Sequence, residues 1–431
     1  MVLPELLTDA RRPPATFAVG RALWKGDVKV GGGEIARLER YLDMDELVEM
    51  ARALVRADTS NPPGHEAPAA RYLQEQMRRL GFGDVRLFEP LPGRVSVVGR
   101  FSGDSRAPGG RTLLWNGHID VVPAGDPSAW RYPPFEGVVA DGRLWGRGSA
   151  DMKGGVAAIL EAAAMLRRAG LRLRGTLLVH AVADEEMLGD LGTRLLVEQG
   201  EAQADAAICG EPTSLRPLVA ARGLLWVEAT TLGRSCHAST PHLGVNAIVK
   251  MSRVVQALAE TRFAASHPLL GAPTLSVGTI AGGTKTNVVP DRCTVTLDRR
   301  LLPGESPAQA FEHLNRQLDA LRVSDPELRV ELRTIKEAEP SEISADEPIV
   351  RSALRARALL GLEPVSPGGM PGTTDARFLV NQGRVPTVIL GPGELEQAHT
   401  VNESISLEQL RQAALLYAAI VCDYLGCEDG A

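Results

Sequence analysis

The chain has 431 residues, 53 acidic side chains against 47 basic ones, and only 8 histidines, for a formal net charge of -6. That length allows two or three domains, and 44% hydrophobic with 23% charged residues is a globular composition, which excludes wholesale disorder. The acidic balance, the lack of a dense Lys/Arg run and the lack of a long apolar run argue against nucleic acid or a membrane as partner.

Residues 1–43 read as an irregular N-terminal extension, because Pro13-Pro14 and Gly31-Gly32-Gly33 break any periodicity. Met1 to Ala10 carries Glu5 and Asp9 and lacks the basic and apolar regions of a secretory signal, so a cytoplasmic protein is expected. From Asp45 the apolar positions Leu47, Met50, Ala51, Leu54 and Val55 recur at helical spacing. The loop Asp58-Thr59-Ser60-Asn61-Pro62-Pro63-Gly64 follows, then a second helix from Ala67 to Leu80. Strands are predicted over Arg111–Trp115, Gly175–Ala183 and Ala206–Cys209, with a helix over Gly154–Arg168. This alternation predicts an α/β fold around a largely parallel sheet.

The rhythm changes near residue 218. Val219–Thr231, Thr274–Ile280, Cys293–Leu301 and Leu328–Thr334 read as strands, with helices over Asn246–Ala259 and Pro307–Leu321. Four strands and two helices predict an inserted two-layer α+β lid. The α/β pattern then resumes with helix Glu347–Leu360, strand Val385–Leu390 and helix Leu407–Tyr424. The expected domains are thus a discontinuous catalytic domain, 44–217 and 337–431, interrupted by a lid at 218–336.

Polar clusters sit at the predicted strand ends, where α/β sheets place their sites. Asn116-Gly117-His118-Ile119-Asp120 follows the first strand, Asp184-Glu185-Glu186 the second and Gly210-Glu211-Pro212 the third; Ala398-His399-Thr400 follows the late strand. Gly146-Arg147-Gly148-Ser149-Ala150-Asp151 ends in an acid at a helix start. Each has a bland alternative: a core histidine, a helix cap for Asp151, a solvated turn for Glu185-Glu186. Their coincidence outweighs these, because imidazoles mixed with carboxylates suit Zn²⁺, Mn²⁺ or Co²⁺. Five cysteines, odd in number and spread apart except for Cys422 and Cys427, make neither a disulfide framework nor a thiolate zinc site. Composition and spacing alone reach a metallohydrolase and no further.

The run Asn116 to Pro123 resembles the first signature of the M20 family of metallopeptidases and deacylases. Pro133-Pro134-Phe135, Gly146 to Gly155, Asp184-Glu185-Glu186, Gly210-Glu211-Pro212-Thr213, Gly282 to Asp291 and Ala398-His399-Thr400-Val401-Asn402-Glu403 continue the match in the family's order. The resemblance implies two divalent ions, zinc first and manganese or cobalt as alternatives, bridged by Asp151. His118 and Glu211 would complete one ion, and Glu186 and His399 the other. Asp120 would orient His118, and Glu185 would be the general base. Gly233 to Pro241, followed by Gly244 to Ala247, resembles the family's dimerisation-domain motif. That implies a homodimer through the lid, with His237 donating to the oxyanion, often across the subunit boundary. Arg300, in Asp298-Arg299-Arg300, would hold a substrate carboxylate; an arginine paired with a neighbouring acid is the bland reading. Asn287 would line the cleft, and Gly372, Thr373 and Thr374 would meet the substrate. Met370 shapes a pocket wall or is mere packing.

The expected activity is hydrolysis of an amide C–N bond in a small carboxylate-bearing substrate, an N-acyl amino acid or a short peptide-like molecule. The alternatives are another C–N bond, as in an aromatic amine or acylated xenobiotic, and an inactive binding protein on the same fold.

Overall fold

The computed structural model describes residues 32–102 and 110–430. The expectation of irregular chain before Asp45 falls on residues 1–31, outside the described ones, and fails beyond them. Gly32–Glu39 is a helix whose Ile35 and Leu38 are buried in the main core. Three glycines in a row read as a break, yet the apolar residues that follow, three apart, give this short segment a face to bury.

Asp43 caps the next helix, Met44–Arg56, by accepting from the Glu46 N–H, and the five apolar positions of its stripe are buried. The main sheet runs, edge to edge, Gly83–Leu91, Arg94–Ser102, Thr176–Val182, Thr112–His118, Ala206–Cys209, Thr387–Ile389, Leu218–Ala221 and Ser341–Glu342. Gly368–Met370 also pairs with Leu218–Ala221. The central four strands, Thr176–Val182 to Thr387–Ile389, are mutually parallel. Antiparallel strands flank them on both sides, so the α/β fold holds while the sheet as a whole is mixed. The Gly83–Ser102 hairpin, for which the sequence predicts no strands, supplies one flank; its outer strand is half-exposed and shows no clean alternation.

Thr112–His118 is covered on both faces, which accounts for its continuous apolar run. Leu113 and Trp115 join the large core under helices Gly154–Arg168 and Leu407–Leu425. Leu114 joins a second cluster with Leu178, Leu196 and Leu379 on the opposite face.

The smaller unit is a four-stranded antiparallel sheet, ordered Thr274–Gly282, Arg292–Leu301, Gly223–Leu232, Arg329–Ala338. Helices Ala247–Ala259 and Pro307–Ser324 cover one face and enclose a core of their own, including Val227, Met251, Val295 and Leu314. The sequence predicts a single strand over Val219–Thr231. The structure divides it at Arg222, with Leu218–Ala221 in the main sheet and Gly223–Leu232 in the small one. Both halves are apolar, so hydrophobic pattern does not register the change of sheet. Gly223 lies where the returning chain crosses: a Cβ there would stand 2.5 Å from the Ala338 carbonyl oxygen.

Cys422 and Cys427 are joined by a disulfide that ties the last helix to Cys427–Asp429; Cys209, Cys236 and Cys293 are free. No helix among the described residues is long and apolar enough to cross a membrane.

Candidate metal centre

Parallel strands deliver their carboxyl ends to one edge of the sheet, and the polar residues gather there. His118 ends its strand, Glu185 and Glu186 follow Thr176–Val182, and Glu211 follows Ala206–Cys209. His399 arrives on the loop after Thr387–Ile389. Asp151 lies between the two imidazoles. Its Oδ1 is 3.0 Å from His118 Nε2, and its Oδ2 is 3.4 Å from His399 Nε2. Glu186 Oε2 is 3.1 Å from His399 Nε2, and Glu211 Oε2 is 4.0 Å from His118 Nε2. Ligand atoms of His118, Glu185 and Glu211 lie within 4.8 Å of one another, as do those of His118, Asp151 and Glu186. His118 is buried, whereas the His399 side chain is half-exposed, which places it at the mouth.

The hydrogen bonds decide how His118 is presented. Its Nδ1 lies 2.9 Å from the Asp120 main-chain carbonyl oxygen, which can only accept. In the neutral ring Nδ1 therefore carries the proton and Nε2 turns a lone pair toward Asp151; without a cation between the two, Nε2 takes up a second proton instead. An imidazole lone pair and a carboxylate oxygen facing each other at 3.0 Å repel unless a cation lies between them. The donor set of nitrogens and carboxylate oxygens thus fits a divalent ion.

The titrations show the same deficit of positive charge. Burial pushes Glu211 up to about 8, and burial together with Glu211 holds Glu185 well above the usual carboxylate range. Burial also raises Glu186. Burial would lower His118, but Asp151 and Glu211 outweigh it and raise the imidazole well above its ordinary value. Hydrogen bonding to Asp151 and Glu186 raises His399 to about 10.

Asp120 meets His118 through its main-chain carbonyl, and its carboxylate serves the neighbouring turn as well. It stands 3.7 Å from His118 Nδ1, while its oxygens accept from the Glu185 N–H at 3.1 Å, the Glu186 N–H at 3.2 Å and Asn61 Nδ2 at 2.8 Å. Asp120 therefore anchors the turn that carries both glutamates. Two supporting groups carry no role in the sequence reading. Asn61 and Arg94 both donate to Asp184, and Arg94 also holds the fully buried Glu66 at 2.9 Å. Glu403 accepts from Gly148 N–H, Ala150 N–H, Asp151 N–H and Arg147 Nη1 at 2.7–3.1 Å, pinning the loop that presents Asp151. The only signal was that Asn61 lies in a polar loop and Glu403 in the last motif.

The structure gathers His118, Asp151, Glu185, Glu186, Glu211 and His399; the expected substrate-binding residues have other hydrogen-bond partners, with Thr374 next to Asp375, which acts electrostatically on Glu185 and Glu211. His237 is exposed on the small unit, its strand bridge with Val288 placing it beside Asn287, whose carbonyl accepts from the Ala238 N–H. The Ser239 N–H donates to His237 Nδ1 at 3.1 Å, which leaves Nε2–H as a free donor. Arg300 is held by both oxygens of Asp298, at 2.8 and 2.9 Å. Gly372 is half-buried; Thr373 Oγ1 donates to the Arg222 carbonyl, and the buried Thr374 accepts from the Ala376 N–H. Met370 packs with Cys209, Leu218 and Ile389.

The sequence model of the peptidase family M20/M25/M40 matches residues 114–423. The chain belongs to this M20 family. A succinyl-diaminopimelate desuccinylase of Rhodospirillum centenum is 31% identical over 386 residues, 87% of this chain and 96% of that protein. An N-formyl-4-amino-5-aminomethyl-2-methylpyrimidine deformylase of Bacillus subtilis is 28% identical over 417 residues, 88% of this chain and 94% of that protein. A tripeptidase of Staphylococcus aureus has the same fold, with a TM-score of 0.74 at 22% identity over 90% of this chain and 99% of that one. As an M20 protein the chain is a metal-dependent hydrolase of amide C–N bonds, and the converging residues are its candidate metal site.

Proposed function

We propose that this M20 hydrolase removes the acyl group from an N-acyl amino acid or a short peptide-like substrate bearing a carboxylate. The observation that carries the reading is the Asp151 carboxylate set between two imidazoles, one oxygen toward each, with Glu185 half-buried beside His118 and Glu211. His118, Asp151 and Glu211 would hold one divalent ion and Asp151, Glu186 and His399 a second, zinc first and manganese or cobalt as alternatives. Such ions would lower the pKa of water and polarise the scissile carbonyl. Glu185, with a carboxylate oxygen within 4.8 Å of ligand atoms of His118 and Glu211, takes the proton from the attacking water and returns it to the departing amine. Asp120 fixes the Glu185 turn. His237, with Nε2–H free, donates to the oxyanion, and Asn287, Gly372, Thr373 and Thr374 line the substrate's path. Arg300 meets a carboxylate in exchange with Asp298. A homodimer forms through the small unit, whose exposed Leu243, Val249 and Ile280 support it; a cytoplasmic location fits the acidic composition. The deformylase relative favours a second reading, deacylation of an amine that is not an amino acid.

One experiment tests the centre: metal analysis and turnover of wild type and Glu185→Gln, with and without chelator, on N-acetyl, N-succinyl, N-formyl, dipeptide and arylamide substrates. The expected result is that chelation abolishes wild-type hydrolysis, while Glu185→Gln loses turnover and keeps its metal. Hydrolysis indifferent to chelator refutes the metal reading, and metal loss in Glu185→Gln makes Glu185 a ligand instead of the base.

A further inference from the structure

The open face of the small sheet, opposite its two helices, carries a row of side chains at the end nearest the main sheet. Asp298 and Trp226 are cross-strand partners there, and the Trp226 Nε1–H donates to Asp298 Oδ2 at 3.0 Å. Lys336 joins the row through an irregularity in Arg329–Ala338. Val227 opposes Thr334, but Trp226 opposes Lys336, so Ile335 is an extra residue. A bulge of this kind redirects the side chain that follows it. Lys336 Nζ reaches out of the small sheet to the main one, 3.3 Å from the Met187 carbonyl oxygen and 3.6 Å from Met187 Sδ. Met187 follows Glu185 and Glu186 in the same turn.

The two cations next to Asp298 and Trp226 on this face differ in one respect. The Arg300 guanidinium already has both oxygens of Asp298. Lys336 has a carbonyl and a thioether as partners, and no carboxylate within ion-pair distance among the described residues. An ammonium whose partners are a neutral carbonyl and a thioether keeps its charge uncompensated, and an anion placed beside it adds a Coulomb attraction that neither partner supplies. The neighbouring centre makes such a cation useful. The turn it touches is the one that carries Glu185 and Glu186, so a fixed positive charge there stands at the rim of the centre, where a substrate carboxylate can be held apart from the bond to be cleaved.

We infer that Lys336 is a specificity-determining residue that binds the substrate's carboxylate at the rim of the centre, with the Trp226 indole beside it. This rests on the amide-hydrolase reading and specifies which cation of the small unit selects a carboxylate-bearing substrate. The carboxylate belongs either to the acyl tail or to the amine half.

The test uses the metal-loaded full chain and two matched pairs. One is an N-succinyl amino acid and its N-succinamoyl analogue; the other is an N-acetyl amino acid and its α-carboxamide. In Lys336→Met the carboxylate-to-carboxamide ratio of kcat/KM should fall about 10- to 100-fold, the range for losing one charge-assisted hydrogen bond. The pair in which it falls identifies the end that is bound. Lys336→Arg should restore most of the ratio. Ratios unchanged in both pairs would overturn the inference, even if Lys336→Met slows every substrate alike, because that is the mark of a prop for the Met187 turn. Calorimetric binding of the preferred substrate to Glu185→Gln, with and without Lys336→Met, gives a readout free of turnover; equal affinities would also sink the assignment. Wild type that hydrolyses none of the four removes the N-acyl amino acid reading, whereas wild-type turnover with unchanged ratios removes Lys336 alone.

Discussion

Glu403 shows how much of this centre depends on a residue that touches no reacting atom. Its two oxygens collect three backbone N–H groups and the Arg147 guanidinium within one short loop, and Asp151 ends that loop. Four bonds to one buried carboxylate hold the backbone before any ligand binds, which is the support that ligand geometry requires. Glu403→Gln keeps the shape but turns an amide NH₂ toward donors. Metal affinity, followed by titration of the demetallated protein, should weaken by about 10- to 100-fold. An unchanged affinity would mean that the loop holds its position without Glu403. The same logic separates the two parts of Asp120: its carbonyl sets the His118 tautomer and its carboxylate anchors the Glu185 turn. The H-x-D spacing made a link between the two residues legible, but which oxygen makes it depends on the backbone path after the strand.

Among the elements, helix Gly154–Arg168 carries the clearest cost. It is buried over nearly its whole length, and Glu161 lies fully buried within it. Glu161 accepts from the Asp43 N–H at 2.8 Å and pairs with Arg168, yet burial outweighs both and pushes its pKa from 4.5 up to about 7. A carboxyl with a raised folded pKa binds its proton more tightly in the native state. Its stabilisation is therefore full below about pH 4.5 and is lost as pH climbs through about 7. Glu161→Gln carries no charge and keeps an acceptor for Asp43. Its stability relative to wild type should rise between pH 5 and pH 8, read from urea midpoints at both. A difference independent of pH would show that Arg168 neutralises Glu161 throughout. The helix itself was legible to the residue, because its apolar density and bounding glycines are local. The Gly83–Ser102 hairpin was not, since its half-exposed outer strand is fixed by the neighbour it pairs with.

On the scale of the whole molecule, the place of His237 on the small unit matters most. Its loop is exposed, and its Nε2–H has no partner among the described residues. A shared site in a dimer is the expectation. His237→Ala should lower kcat by about 10²–10³-fold, the scale for one oxyanion donor. Mixing it with Glu185→Gln under conditions of subunit exchange should recover activity in steady-state assays; no recovery would favour a self-contained site.

The sequence by itself determined the ligand chemistry, the order of the motifs and the α/β alternation. These are written in residue type and local periodicity, and family membership requires nothing more. The tertiary structure decided that the sheet is mixed, that the chain changes sheets at Arg222, that Asn61, Arg94, Glu66 and Glu403 brace the centre, and that Arg300 has a carboxylate partner while Lys336 has none among the described residues. Each of these is a pairing between residues distant in the chain. Such a pairing depends on which neighbour completes a hydrogen bond or an ion pair, and no local pattern contains that information.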